Sequence, residues 1–462
     1  MKKRIIGCIL IYILLFTSVN ANGITSDSTG EDIKVLMEFI LDNYVGSEIN
    51  EEILYYGALK GMFEVLDSYS EFYTAKEYDE FFVALEGSFY GIGAELQKAD
   101  EYVKIVNVLR DTPAEKAGLL VGDIILEVDG QSIEGLSVDG AVAIIRGELG
   151  TKVILTINRN NEIITQEITR GRINVSSVYT EDLSKFENVY EKELLQTIEY
   201  IYISRFSESV SDDFAKMLIK AQEAEKDYLV LDLRNNTGGY MNQAINIARM
   251  LVPEGPVLYT VNKNGEEQVY YSYLENKVFE QIIVITNEYT ASASEILASA
   301  IVESGAGLIV GEQTYGKGVV QHLYNFGNSA FKLTVEEYFS RNRSKINDIG
   351  IKPNIEVKIP YLLPEPTIRY SMNMKDDRIY EINEILKYLG YYEGNISNEY
   401  TQKTFEGIKS FQRDHGLYPY GVCDLSTQLK LNEILKDNVQ EKDMQLDKVL
   451  QFIQEYNKNI KK

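Results

Sequence analysis

Between residues 31 and 87 the apolar positions recur every three or four residues, in EDIKVLMEFILDNY and again in EEILYYGALKGMFEVLDSY. That is the period of a helix with one buried face, so a helical lead-in is expected. From residue 88 to about 172 the runs shorten to VKIVNVL, DIILEVDG and KVILTINR, punctuated by glycine, with a helix-like VDGAVAIIRGEL before the last. A compact β-rich unit is expected there. From 173 to 360 continuous apolar runs (IEYIYISRF, YLVLDLR, IIVIT, GLIVGE) alternate with helical stretches from Asp212 to Glu225, Met241 to Leu251 and Ala293 to Glu303. Strand and helix in alternation predict a sheet covered by helices. Three prolines in PYLLPEPTIRYSMN mark a linker over 361–374. A small helical unit follows over 375–437, and 438–462 repeats apolar residues at helical spacing. The fold class is therefore multidomain α/β: helical lead-in, small β-rich domain, α/β core and an all-α C-terminal module.

Length and charge narrow the functional classes. At 462 residues the chain is too long for one compact domain. A net charge of −24 argues against nucleic acid or an anionic surface as a partner held by bulk electrostatics. At the start, Lys2, Lys3 and Arg4 precede an apolar stretch, and Val19-Asn20-Ala21 offers a cleavage point after Ala21. Residues 1–21 read as an export signal, with an uncleaved membrane anchor as the alternative, and an extracytoplasmic location is expected. Cys8 lies at the front of the apolar stretch, the wrong end for a lipid-attachment site. Once such a signal is removed Cys423 is the only cysteine, which excludes a disulfide framework or a thiolate metal site. The two histidines, His322 and His415, are far apart in sequence, and no HExxH pair exists. No metal and no organic cofactor is implied.

Three short segments carry candidate chemistry, each just after a predicted core strand. In TASASEI, Ser292 stands at a helix start, where Ser292-x-x-Glu295 also reads as a plain capping box. In LDLRNNTGG, Gly238 and Gly239 open a turn whose amides can approach an oxyanion, or which simply needs a positive φ. In GEQTYGKGVVQH, Lys317 lies between two glycines, a pattern that by itself is usually an exposed, inert lysine. Strand ends in such folds converge on one crevice. Together the segments would supply a serine, main-chain donors and a lysine without histidine, the parts of a Ser-Lys dyad. An ordinary lysine has a pKa near 10.4, and lowering it by about 3 units asks the fold for roughly 4 kcal/mol of desolvation. Flanking glycines would let apolar neighbours close around it.

These three segments, with LDSYSEFY and NDIGIKPNIEV, resemble the signatures of carboxyl-terminal processing proteases, a Ser-Lys peptidase family that includes tail-specific protease. The resemblance covers most of 31–360. It implies Ser292 as nucleophile, Lys317 as general base and Gln321 as the residue orienting the lysine, with Gly239 and Ala293 offering oxyanion amides. Four extended residues cover about 13 Å, so a contact between Gln321 and Lys317 asks for a turn or helical winding between them. Thr237 stands where the family often has proline.

The unit 88–172 resembles a PDZ domain through FYGIG and TPAEKAGLLVGDIILEVDG. That resemblance implies substrate contacts at Gly91, Ile92 and Gly93, with the strand after them pairing to an extended peptide. It also implies a relay role for Arg146, which otherwise reads as a solvated helix end. Residues 375–437 resemble a peptidoglycan-binding module, although Tyr420 replaces the usual aspartate before Gly421; docking or dimer formation are the other readings. The resulting expectation is an exported serine endopeptidase acting through an acyl-enzyme on unstructured protein C-termini, with peptidoglycan and a second copy of the chain as further partners. The rivals are an inactive PDZ and wall-binding scaffold and a Ser-His hydrolase using His322.

Overall fold

The computed structural model describes residues 29–46, 48–109, 112–174, 176–441 and 443–460, so the expected export signal lies outside the described residues. The chain divides into two compact units, one running up to Ala75 and taking in 323–333, the other comprising 76–322 and 334–462.

In the first unit the expected lead-in forms helices Thr29–Asn43 and Glu51–Glu64. Asn50 caps the second, its side chain accepting the Ile53 amide at 2.8 Å. Strand Glu71–Tyr73 pairs antiparallel with residues 330–332, and the rings of Phe63, Phe72, Phe326 and Phe331 pack around that pairing. The helices themselves leave Leu36, Phe39, Ile53 and Met62 exposed.

The second unit begins with the end of the expected lead-in, helix Ala75–Leu85, and continues into the β-rich domain. Ser88–Gly91 and Gly171–Asn174 form a two-stranded antiparallel ribbon at its base. A five-strand path leads from Ala94–Ala99 at one edge through Tyr102–Val108, Ile124–Val128 and Lys152–Arg159 to Glu162–Thr169. Val103, Ile105, Ile125, Val153, Leu155 and Ile157 alternate inward and are fully buried with Ala141 and Ile145 of helix Val138–Ile145.

The core sheet has its strands in sequence order: β1 (Val178–Thr180), β2 (Ile198–Ile203), β3 (Tyr228–Asp232), β4 (Gln281–Thr286), β5 (Gly307–Gly311) and β6 (Ile355–Glu356). β1 runs antiparallel to β2, and all the other pairings are parallel. Both faces of β3 and β4 are covered, which is why they read as unbroken apolar runs rather than alternating ones. Leu229, Leu231, Ile282 and Val284 face one layer with helices α1 (Val210–Glu223), α2 (Met241–Leu251) and α3 (Ala293–Glu303). Tyr228, Val230, Ile283 and Ile285 face the other layer. There they meet Leu446, Val449, Leu450 and Ile453 of α4 (Met444–Ile460), so the last helix forms part of the core wall.

Sequence periodicity gave no notice of a second, antiparallel sheet, in which Gly255–Asn262 pairs with Glu267–Ser272 and with the end of Ser329–Ser340. Its strands are partly exposed and carry polar residues such as Glu267, Gln268, Glu336 and Glu337, which dilutes the apolar signal. The 361–374 stretch makes contacts as well. Leu363 and Tyr370 are buried in the C-terminal module, and Leu363 exchanges hydrogen bonds with the Asn432 side chain.

Candidate active site

Ser292 precedes α3 with φ +58° and ψ −117°, a left-handed backbone that a residue with a Cβ adopts at a cost of about 1–3 kcal/mol. The surroundings explain how this persists. The Ser292 amide donates to Glu295 Oε2 at 2.8 Å, so the carboxylate reaches back as a capping box requires. That carboxylate does more than cap. Its Oε2 also accepts the Lys317 amide at 2.9 Å, while Oε1 accepts Thr314 Oγ1 at 2.5 Å and the Gly316 amide at 2.7 Å. Two amides sharing one oxygen at 2.8 and 2.9 Å place the Ser292 and Lys317 nitrogens less than about 5.7 Å apart. The carbonyl sides meet at a second side chain: Tyr338 Oη lies 3.1 Å from the Ser292 oxygen and 2.6 Å from that of Lys317.

Glu295 is fully buried, and burial pushes its carboxyl above the ordinary value, against the pull of Thr314 and of the Ser292, Lys317 and Gly316 amides. A protonated carboxyl would turn its hydroxyl toward amides that only donate, or toward a Thr314 hydroxyl that already accepts the Ile351 amide at 2.8 Å. The donor set therefore matches the ionised form.

The glycines beside Lys317 have a different reason from the one expected. A Cβ on Gly318 would lie 2.3 Å from the Asn347 nitrogen, and one on Gly316 2.8 Å from the Gly350 nitrogen. Backbone from the NDIGIKP segment packs directly on the lysine loop, and only glycine leaves the room. Asn347 Oδ1 accepts the Gly318 amide at 3.0 Å, and Gly316 O accepts the Asp348 amide at 2.8 Å.

The loop after β3 closes the site from another side. Gly238, at φ +104°, is so near the nucleophile turn that a Cβ would come 2.8 Å from Ser292 Cβ; on Gly239 it would meet the Phe206 carbonyl at 2.3 Å. Buried Asn236 holds this loop. Its side chain accepts the Gly238 amide at 2.9 Å and donates to Ile203 O at 2.8 Å, while its carbonyl takes the Ala291 amide and the Ser294 hydroxyl. Ser294, the other serine of TASASEI, is thus a structural tie. Among the described residues the amides of Gly239 and Ala293 donate to no protein acceptor.

Gln321 lies on strand Val319–Phe326, so the chain is already extended before it and no winding intervenes; its Nε2 donates to Thr334 Oγ1 at 3.2 Å. His322, next on the strand, is exposed. In the β-rich domain, Gly91 belongs to the basal ribbon, while Ile92 and Gly93 form the turn into edge strand Ala94–Ala99. Their carbonyls accept the Ala114 and Leu109 amides, at 2.7 and 3.0 Å. The Arg146 guanidinium stacks 4.5 Å above the Phe89 ring, beside Gly91.

On the sheet face covered by α4, the strand ends line a cavity of about 580 Å³ containing Arg234, Asn235, Asn287, Glu288, Glu312 and Tyr361. Arg234 pairs with Asp232 and, at 2.7 Å, with Asp443. Burial, and after it the neighbouring Glu288, pushes the Glu312 carboxyl up to about 7.

Known proteins carry the same parts. Peptidase family S41 matches over residues 197–357, the PDZ domain over 104–159 and a peptidoglycan binding domain over 375–431. Carboxy-terminal processing protease CtpA of Bacillus subtilis is 32% identical over 474 residues, covering 96% of this chain and 98% of that protein. Carboxy-terminal processing protease CtpB of the same organism is 32% identical over 441 residues, covering 92% and 89%. Among solved structures, the photosystem II D1 C-terminal processing protease is 27% identical, with a TM-score of 0.42 over 72% of this chain and 88% of that one. With near-complete coverage of both curated relatives and a PDZ domain joined to an S41 core, the chain belongs to the carboxy-terminal processing proteases, the serine peptidases of family S41.

Proposed function

We propose that this chain is an exported endopeptidase that holds the C-terminus of an unstructured substrate in its PDZ domain and cleaves through a Ser292–Lys317 dyad. The observation that carries the reading is the shared Glu295 oxygen, which brings the serine and lysine main chains together. Neutral Lys317 Nζ takes the proton of Ser292 Oγ as the oxygen bonds to the scissile carbonyl carbon. The amides of Gly239 and Ala293 receive the oxyanion. The tetrahedral intermediate collapses to the acyl-enzyme as the C–N bond breaks and the ammonium returns its proton to the leaving amine. Water, deprotonated by the same lysine, then releases the acyl group.

In the PDZ domain, Ile92 and Gly93 receive the terminal carboxylate, and the edge strand Ala94–Ala99 pairs with the tail. Arg146 senses its arrival. The exposed apolar residues of the lead-in helices support a homodimer, and the C-terminal module is read as a wall-binding domain. Degradation of a peptide with a free apolar C-terminus tests the dyad. Turnover should vanish in Ser292→Ala and Lys317→Ala and persist in His322→Ala. Loss in the histidine variant with full activity in the lysine variant would replace the dyad by a Ser-His mechanism.

A further inference from the structure

Tyr338 is 1% exposed, and its strand carries no sequence motif. It nevertheless touches both halves of the site. Its amide donates to the Gly318 carbonyl at 2.9 Å, and its hydroxyl stands 2.6 Å from the Lys317 carbonyl. One residue thus grips the two successive carbonyls of the lysine loop. The same hydroxyl lies 3.1 Å from the Ser292 carbonyl. A phenol has a single proton, and the distances give the stronger bond to Lys317. With Glu295 on the amides of residues 292 and 317 and Tyr338 on the Lys317 carbonyl, the lysine loop is held on both sides.

We propose that Tyr338 is a positioning residue for the serine–lysine pair, fixing the lysine loop against the nucleophile turn through its phenol. The proposal rests on the reading of Lys317 as the base. A lysine side chain has four rotatable bonds, so where its amine points depends on where its Cα is pinned. A displacement of about 1 Å at a reacting pair can cost on the order of 100-fold in rate.

The test compares the intact full-length chain with Tyr338→Phe, and with 4-fluorophenylalanine at 338, which fills the hydroxyl's space without donating. Expected in both is a fall in kcat of about 10- to 100-fold with KM for a tail peptide within about threefold. Labelling of Ser292 by a fluorophosphonate is then timed in the wild-type and Lys317→Ala backgrounds. If Tyr338 acts through the lysine, removing the phenol slows labelling at least tenfold in the first and less than about twofold in the second. Equal slowing in both backgrounds, or wild-type kcat in the 4-fluorophenylalanine variant, overturns the positioning role alone. Labelling of Lys317→Ala at the wild-type rate overturns the dyad and this proposal with it.

Discussion

Replacing Glu295 by glutamine changes one atom and should disarm the site. Each carboxylate oxygen accepts two donors, Thr314 Oγ1 and Gly316 N on one, Ser292 N and Lys317 N on the other. An amide has one oxygen and one NH2, so one orientation sets the NH2 against the Ser292 and Lys317 amides, and the other sets it against the Gly316 amide and a Thr314 hydroxyl that must turn round to accept. Hydrogen bonds to a charged group contribute about 1.5–3 kcal/mol each, so two lost bonds amount to about 3–6 kcal/mol. Burying a neutral amide in place of a carboxylate returns part of this, leaving a local loss of about 2–4 kcal/mol. Hydrogen exchange reads that loss directly, because Gly316 and Lys317 are themselves the donors. Their protection should fall by roughly 30- to 1000-fold, at 1.4 kcal/mol per decade. Turnover should drop by about 100-fold or more as the loop moves from the nucleophile. A Glu295→Gln protein with both amides as protected as in the wild type, and kcat within a factor of three, would refute the view that this carboxylate holds the site together.

Further outcomes follow from the same geometry. Gly238→Ala should fold yet lose about 100-fold or more in turnover, because its Cβ would press on Ser292 at 2.8 Å; melting and kinetics on one preparation separate the two effects. Glu312, raised to about 7 from an unfolded value near 4.5, adds stability that is fully present below about pH 4.5 and lost as pH rises toward 7. Glu312→Gln should flatten that part of the stability–pH curve. Asp424 shows the opposite sign: partial burial works upward, but bonds from Thr427, Tyr420 and Ser426 hold it down to about 2. Its contribution is present above about pH 4 and lost between there and 2, and Asp424→Asn should remove this acid transition from denaturation curves. Leu450→Ala in α4 should cost about 2–5 kcal/mol, measured by urea unfolding, since the side chain is fully buried against the sheet.

The layered core was legible because β3 and β4, buried on both faces, write themselves as apolar runs, and α2 and α3 formed over the spans their period predicts. The Ser292–Glu295 spacing was visible too, but only as a helix cap. That the same carboxylate would collect donors from residues 314–317 depends on two chain segments meeting, which no local pattern states. Tyr338 left even less trace, sitting in a strand whose alternation is blurred by partial exposure. The glycines around Lys317 were conspicuous, yet their cause, the backbone of 347–350, is another contact between distant segments.

The last helix gives this peptidase an unusual relation to its own reaction. A peptidase that acts on extended segments can cut its own chain wherever that chain unfolds. Here residues 444–460 are wound into a helix whose Leu446, Val449, Leu450 and Ile453 are sealed against the sheet. Drawing them out as a strand would expose four side chains, each worth about 1.5–3 kcal/mol. That sum rivals the stability of a whole domain. The helix therefore resists being drawn out, and a substitution that loosened it would expose both this segment and the sheet beneath it.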